Sequence, residues 1–159
     1  MAGYKEMRDP NIDDLMKVYA VDAVAAAARR GVTLDYSEES LNRVDELLGR
    51  ESFIGRTPRG PESPEDEERL WTLSKMLGAY VGEVALRQVG GHWFGEPTDD
   101  GGIRPAIAVQ GAKGFPVDMV WKRLTESEFK SVGGYCRVLR VILERQATDR
   151  HVPDSDEAE

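Results

Sequence analysis

The sequence predicts an α+β fold, mostly helical, with about five helices and a small antiparallel sheet of two to three strands between the third and fourth helices. Three observations lead there. Apolar residues recur at helical spacing before residue 90 and after residue 116. The block between them holds His92, Trp93 and Phe94, an Asp99-Asp100-Gly101-Gly102 turn cluster and an apolar run from Ile103, which is the pattern of a hairpin. No internal repeat breaks the order.

The first helix is expected to start at Asp9 or Asn11, with Pro10 suited to an early helical position. Ile12, Leu15, Met16, Tyr19, Ala23, Ala26 and Ala27 form its apolar face. Arg29 and Arg30 followed by Gly31 stop it. Ser37 is placed to cap the second helix, with Tyr36 and Leu41 positioned as a hydrophobic staple and Glu38 and Glu39 in the first turn. Leu41, Val44, Leu47 and Leu48 supply its buried stripe. From about residue 52 to 64 the spacing of Gly55, Pro58, Gly60, Pro61 and Pro64 predicts a flexible loop, either a functional flap or slack.

The third helix has the clearest signals. Ser63 caps it, Pro64 takes the first position, and Glu65, Asp66 and Glu67 meet the positive end of the helix dipole. Leu70, Leu73, Leu77, Tyr80, Val81 and Val84 line one face, and Gly90 and Gly91 end it. Gly78 and Gly82 stand one turn apart on one side. Each costs about 1 kcal/mol against alanine in a helix, so the pair predicts close approach by another backbone. The alanine-rich first helix is the expected partner.

In the hairpin, Pro105 places the strand over residues 103–110 at an edge or near its own start. The Gly111-Ala112-Lys113-Gly114 stretch reads as a turn, with Phe115 in a third short strand. Pro116 opens the fourth helix, on which Val117, Val120, Trp121 and Leu124 share a face and Asp118 precedes Lys122 by four. Thr125 with Glu128, or Ser127 alone, is expected to begin a last helix with Phe129, Val132, Cys136, Leu139 and Leu143 buried.

The 159 residues fit a single domain over 1–150 followed by an acidic, disordered tail at 151–159. With 40% hydrophobic and 31% charged residues, the chain is neither disordered nor fibrous. The net charge of −8 argues against nucleic acid as a partner. Nine acids cluster in two runs, residues 62–68 and 154–159, and outside those runs the charge is near zero. Binding by the body is therefore expected to depend little on salt. Lys122, Arg123, Lys130, Arg137 and Arg140, with Trp121 nearby, read as solvated helix faces rather than a nucleic-acid surface. No apolar stretch approaches the roughly 20 residues of a membrane span, and the start lacks the apolar segment of a signal peptide. Cys136 is the only cysteine, so no intramolecular disulfide forms. A cytoplasmic protein is expected.

Residues 70–135 carry Gly90, Trp93, Asp99, Asp100, Phe115, Pro116, Val120, Lys122 and Arg123 in a G-x-x-W, hairpin, F-P-x-x-x-V-x-K-R order. In this, and in the L-D-Y-S-x-x-S-L entry at 34–41, the chain resembles an uncharacterised bacterial domain family. The resemblance implies the same fold and a partner-binding or toxin-neutralising role, with no activity, cofactor or catalytic residue attached.

No catalytic set and no metal set emerges. His92, His151 and Cys136 lack ligand spacing. Glu96, Asp99 and Asp100 read as a solvated turn rather than a hard-cation site. Cys136 on a buried stripe behaves as a small hydrophobe. Residues 111–114 lack the ending of a phosphate loop, and no cofactor is expected.

Two constellations remain. Glu83, inside a glycine-rich turn of the third helix, is expected first to pair with Arg87, four residues on, on a wet face. If buried it calls for a cation, and Lys122 or Arg123 would then tie to it, with a ligand pocket as the third reading. His92, Trp93 and Phe94 form the second. One aromatic should point inward and one outward, and an exposed one would anchor a partner unless helices or the 52–64 loop cover both. These features predict a non-enzymatic protein-binding module, immunity-like or regulatory, that presents the hairpin to a protein or peptide. The alternative is a small-molecule-binding domain or hydrolase with a cleft between central helix and hairpin, using Glu83, His92 and Lys122. Self-association through open strand edges is a third route, so monomer and homodimer both stay open.

Overall fold

The computed structural model describes residues 11–55, 59–109, 111–126 and 132–134, together with 137, 141, 144 and 145. Helices α1 (Ile12–Ala28), α2 (Ser40–Gly49), the single turn α3 (Glu51–Ile54) and α4 (Pro64–Val89) precede strands β1 (His92–Pro97), β2 (Ile103–Val109) and β3 (Ala112–Gly114), and helix α5 (Pro116–Thr125) follows. This is the α+β arrangement that the periodicities predict, with the sheet between α4 and α5. Residues 132–134, 137, 141, 144 and 145 are also helical. Asp9, Pro10, Ser127, Glu128, Phe129, Cys136, Leu139, Leu143 and the tail at 151–159 lie outside the described residues.

Helix α4 is the centre of the domain. Ser63 is extended and its hydroxyl accepts from the Asp66 N–H at 3.1 Å, while Pro64 needs no donor. From Leu77 to Ala85 every residue is buried, so this part of the helix has no wet face. Ala20, Ala23 and Ala27 of α1 are buried against it. The glycines, however, do not serve α1. A Cβ on Gly78 would lie 2.5 Å from Val117 Cα, and one on Gly82 would lie 2.2 Å from the Trp93 ring. The close approach is made by α5 and β1, which corrects the expected pairing. Trp71 and Trp121 stack at 4.2 Å and continue the α4–α5 contact.

The sheet is antiparallel with order β1-β2-β3. Strand β2 is therefore central, not an edge, and Pro105 takes the other expected place, near the start of its strand. Strand β3 pairs only with Ile107, Ala108 and Val109, so the β3 side of Pro105 demands no ladder hydrogen bond. Residues 112–114 are strand rather than turn, and Phe115 precedes α5 instead of joining β3.

Three further boundaries move. Ser37 accepts from the Ser40 N–H at 3.1 Å, but it caps a turn leading into α2, whose regular helix starts at Ser40. Tyr36 takes a left-handed backbone, φ 64°, stabilised because its N–H donates to the Tyr80 hydroxyl at 2.8 Å and its ring packs on Tyr80. The expected loop loses its first residues to α3, where Arg69 donates to the Ile54 carbonyl. Thr125 does not cap the last helix, since it lies within α5 and its hydroxyl donates to the Trp121 carbonyl. Asp45 of α2 instead accepts from the Val132 and Gly133 N–H groups at 2.7 and 3.2 Å. Among the described residues, no helix is long and apolar enough to cross a membrane.

Candidate functional site

Alternation along β1 turns Trp93 inward and leaves His92 exposed and Phe94 half-buried. Trp93 is 3% exposed, and its indole N–H donates to Glu83 Oε2 at 3.0 Å. Glu83 is itself buried. The expected tie of Glu83 to Lys122 or Arg123 is therefore corrected. The carboxylate is answered by a neutral N–H from β1, and among the described residues no ion pair joins it to either cation. Arg87, the other expected partner, lies over the Tyr36 ring at 3.6 Å. Lys122 is exposed. Arg123 is buried, its Nη1 without a hydrogen-bond partner, with Nη2 3.8 Å from where a Gly49 Cβ would stand. That is the C-terminal end of α2, whose carbonyls favour a cation.

Trp93 therefore cannot anchor a partner, because its ring fills the space that Gly82 vacates. Of the expected aromatic patch, His92 and Phe94 remain at the surface, with Lys113 Nζ 5.8 Å from the Phe94 ring. The Asp13 carboxyl of α1 lies below its ordinary range, chiefly through the Lys17 hydrogen bond at 2.9 Å.

An open cleft lies at the far end of the hairpin. It measures about 450 Å³ and is lined by Glu96, Pro97, Thr98, Asp99, Asp100, Arg104 and Asp118. Glu83, His92 and Lys122 do not line it. Its rim is a tight turn. The Thr98 N–H donates to the Gly102 carbonyl at 3.0 Å, and Gly101 supplies the left-handed residue, φ 82°. The Thr98 hydroxyl and the Gly102 N–H hold the Asp100 carboxyl down to about 2.

Arg104 organises the cleft wall. It donates to Glu96 Oε2 and Asp118 Oδ2, each at 3.1 Å, and lies 3.7 Å over the Phe115 ring. Lys113 adds a 2.9 Å contact to Glu96 Oε1, and this hydrogen bond is the first cause of the lowered Glu96 pKa. Asp118 behaves differently. Burial pushes its carboxyl up to about 6, against the pull of Lys122. Asp118 Oδ1 is buried with no hydrogen-bond partner. The cleft thus sets four carboxyl groups against one lining cation.

Arg104 and Asp118 were not legible as site residues. Asp118 read as the i,i+4 partner of Lys122, and only the presence of an arginine within an otherwise apolar strand pointed to Arg104. Among the described residues, no group of three or more His, Cys, Asp or Glu side chains is placed to hold a metal ion. Compared with known proteins, the chain matches no family model, no curated protein and no solved structure.

Proposed function

We propose that this chain is a protein-binding module whose working surface is the hairpin end, and that the cleft there receives a basic side chain of a peptide or protein partner. One observation carries the reading. An open cleft of about 450 Å³ holds more carboxyl groups than cations. A lysine or arginine entering it meets the acids directly and displaces little structure, because the turn is already fixed by Thr98 and Asp100. Binding at this end is salt-sensitive, unlike what the near-neutral body suggests. An immunity-like or regulatory role is compatible with such a surface, and the family resemblance implies partner binding or toxin neutralisation.

The test is an amide-resonance titration of the full chain with a hexalysine peptide at two salt concentrations. Shifts confined to residues 96–104 and 118, weakening with salt and lost in Asp118→Asn with Asp99→Asn, support the reading. Shifts scattered over the surface, or none at low salt, overturn it. A second reading rests on Asp118. A carboxyl titrating near neutrality is what a general acid requires, which favours a small-molecule site in the same cleft. A metabolite that co-purifies and protects Asp118 would select that reading.

A further inference from the structure

The rim of the cleft carries the only Asp-Gly pair in the sequence, Asp100 and Gly101. The turn demands both residues. Gly101 is left-handed, φ 82°, where an L side chain is strained. Asp100 Oδ1 accepts from the Thr98 hydroxyl and from the Gly102 N–H, the latter at 3.1 Å. The same Gly102 N–H lies 3.0 Å from Thr98 Oγ1. Asp100 and Gly101 are both exposed, so water reaches them.

Aspartate before glycine is chemically labile, because no side chain on the second residue shields its backbone nitrogen from the carboxyl carbon. The Gly101 nitrogen bonds to Asp100 Cγ, and its proton leaves with the side-chain hydroxyl as water. A second water then reopens the cyclic imide. Breaking the bond from nitrogen to Cγ restores aspartate. Breaking the bond from nitrogen to the main-chain carbonyl carbon leaves isoaspartate, with the chain routed through Cβ and Cγ. Ring closure needs a neutral carboxyl, since an ionised one has no hydroxyl to lose, and a nitrogen that can release its proton. The native turn denies both. Thr98 and then Gly102 hold the carboxyl ionised, its pKa down to about 2. The Gly101 N–H donates to the Thr98 carbonyl at 3.1 Å. We propose that Asp100–Gly101 is a modification site gated by the hairpin turn, silent while Thr98 clamps it and converted to isoaspartate once the turn opens. Conversion adds one methylene to the main chain between Thr98 and Gly102, so the rim of the cleft no longer closes as it does here.

The test is incubation of the full chain in heavy-oxygen water, folded and in unfolding urea, followed by peptide mapping. Each passage through the imide leaves one heavy oxygen on residue 100, and the isoaspartyl peptide separates from the aspartyl one by chromatography. The folded chain should convert at least about tenfold more slowly than the unfolded chain, because only the opened turn reacts. Thr98→Val removes the hydroxyl with little change of shape and should speed conversion of the folded chain about fivefold, while Thr98→Ser keeps the hydroxyl and the slow rate. Circular dichroism checks that each variant is folded, and the folded-against-urea comparison uses the unaltered chain, so it decides the matter even where a variant fails to fold. Equal rates in the two states overturn the proposal. So does an unfolded chain that takes up no label at residue 100, or a folded Thr98→Val chain that converts no faster than the unaltered one.

Discussion

Glu83 and Asp118 are both carboxylates withdrawn from water, yet the regions around them are opposites. Around Glu83 the chain is sealed. Glycines let Trp93 and α5 close on α4, and an indole N–H meets the carboxylate. Around Asp118 the enclosure is incomplete. One oxygen is held by Arg104, the other is buried without a partner, and an open cleft begins beside it. The contrast shows that burial alone does not mark a site. A buried polar group whose partner is built in reports architecture, while one left unmatched beside an opening reports a place where a ligand or a proton can enter.

The sharpest way to break this contrast is to crowd the sealed side. Gly78→Ala sets a Cβ 2.5 Å from a backbone atom of α5. Urea unfolding should show a loss of about 3 kcal/mol, although the same change at a solvated helix position would gain about 1 kcal/mol. A stabilised variant would mean that α4 and α5 are not in close contact. Next comes Trp93→Phe, which keeps an aromatic ring and removes the N–H. A buried carboxylate left without its donor should cost about 2 to 3 kcal/mol. In a double-mutant cycle with Glu83→Gln, additive losses would show that the two side chains are uncoupled.

The open side is probed by pH. In the folded chain Asp118 titrates at about 6, above the ordinary 3.8. The folded state holds this proton more tightly than the unfolded one, so stability is highest below pH 4 for this group and falls as pH rises toward 6. The change is on the order of 3 kcal/mol, flat above that window. Asp118→Asn should flatten the melting temperature across it, and an unaltered slope would assign the titration to another group. The smallest effect belongs to the rim. Lys113 contacts Glu96 in the open, so Lys113→Ala should leave the denaturation midpoint within error at physiological salt.

Much of the local structure was readable along the chain. Ser63 and Pro64 open α4, Gly90 ends it, and Trp93 and Phe94 take opposite sides, because each depends on backbone preferences and a period that neighbours in sequence determine. Helix and strand boundaries slipped by a few residues where a tertiary contact intervened, as where the Tyr80 hydroxyl bonds the Tyr36 N–H. Partner choice was a different matter. Composition shows that Glu83 needs a donor, that Gly78 and Gly82 need a close neighbour, and that Asp118 has a cation four residues away. Which donor, which neighbour and which cation depended on how α5 crosses α4 and how β2 brings Arg104 over Phe115. Hydrogen bonds and ion pairs act over a few ångströms, and groups ten or more residues apart come within that reach only after the elements have packed.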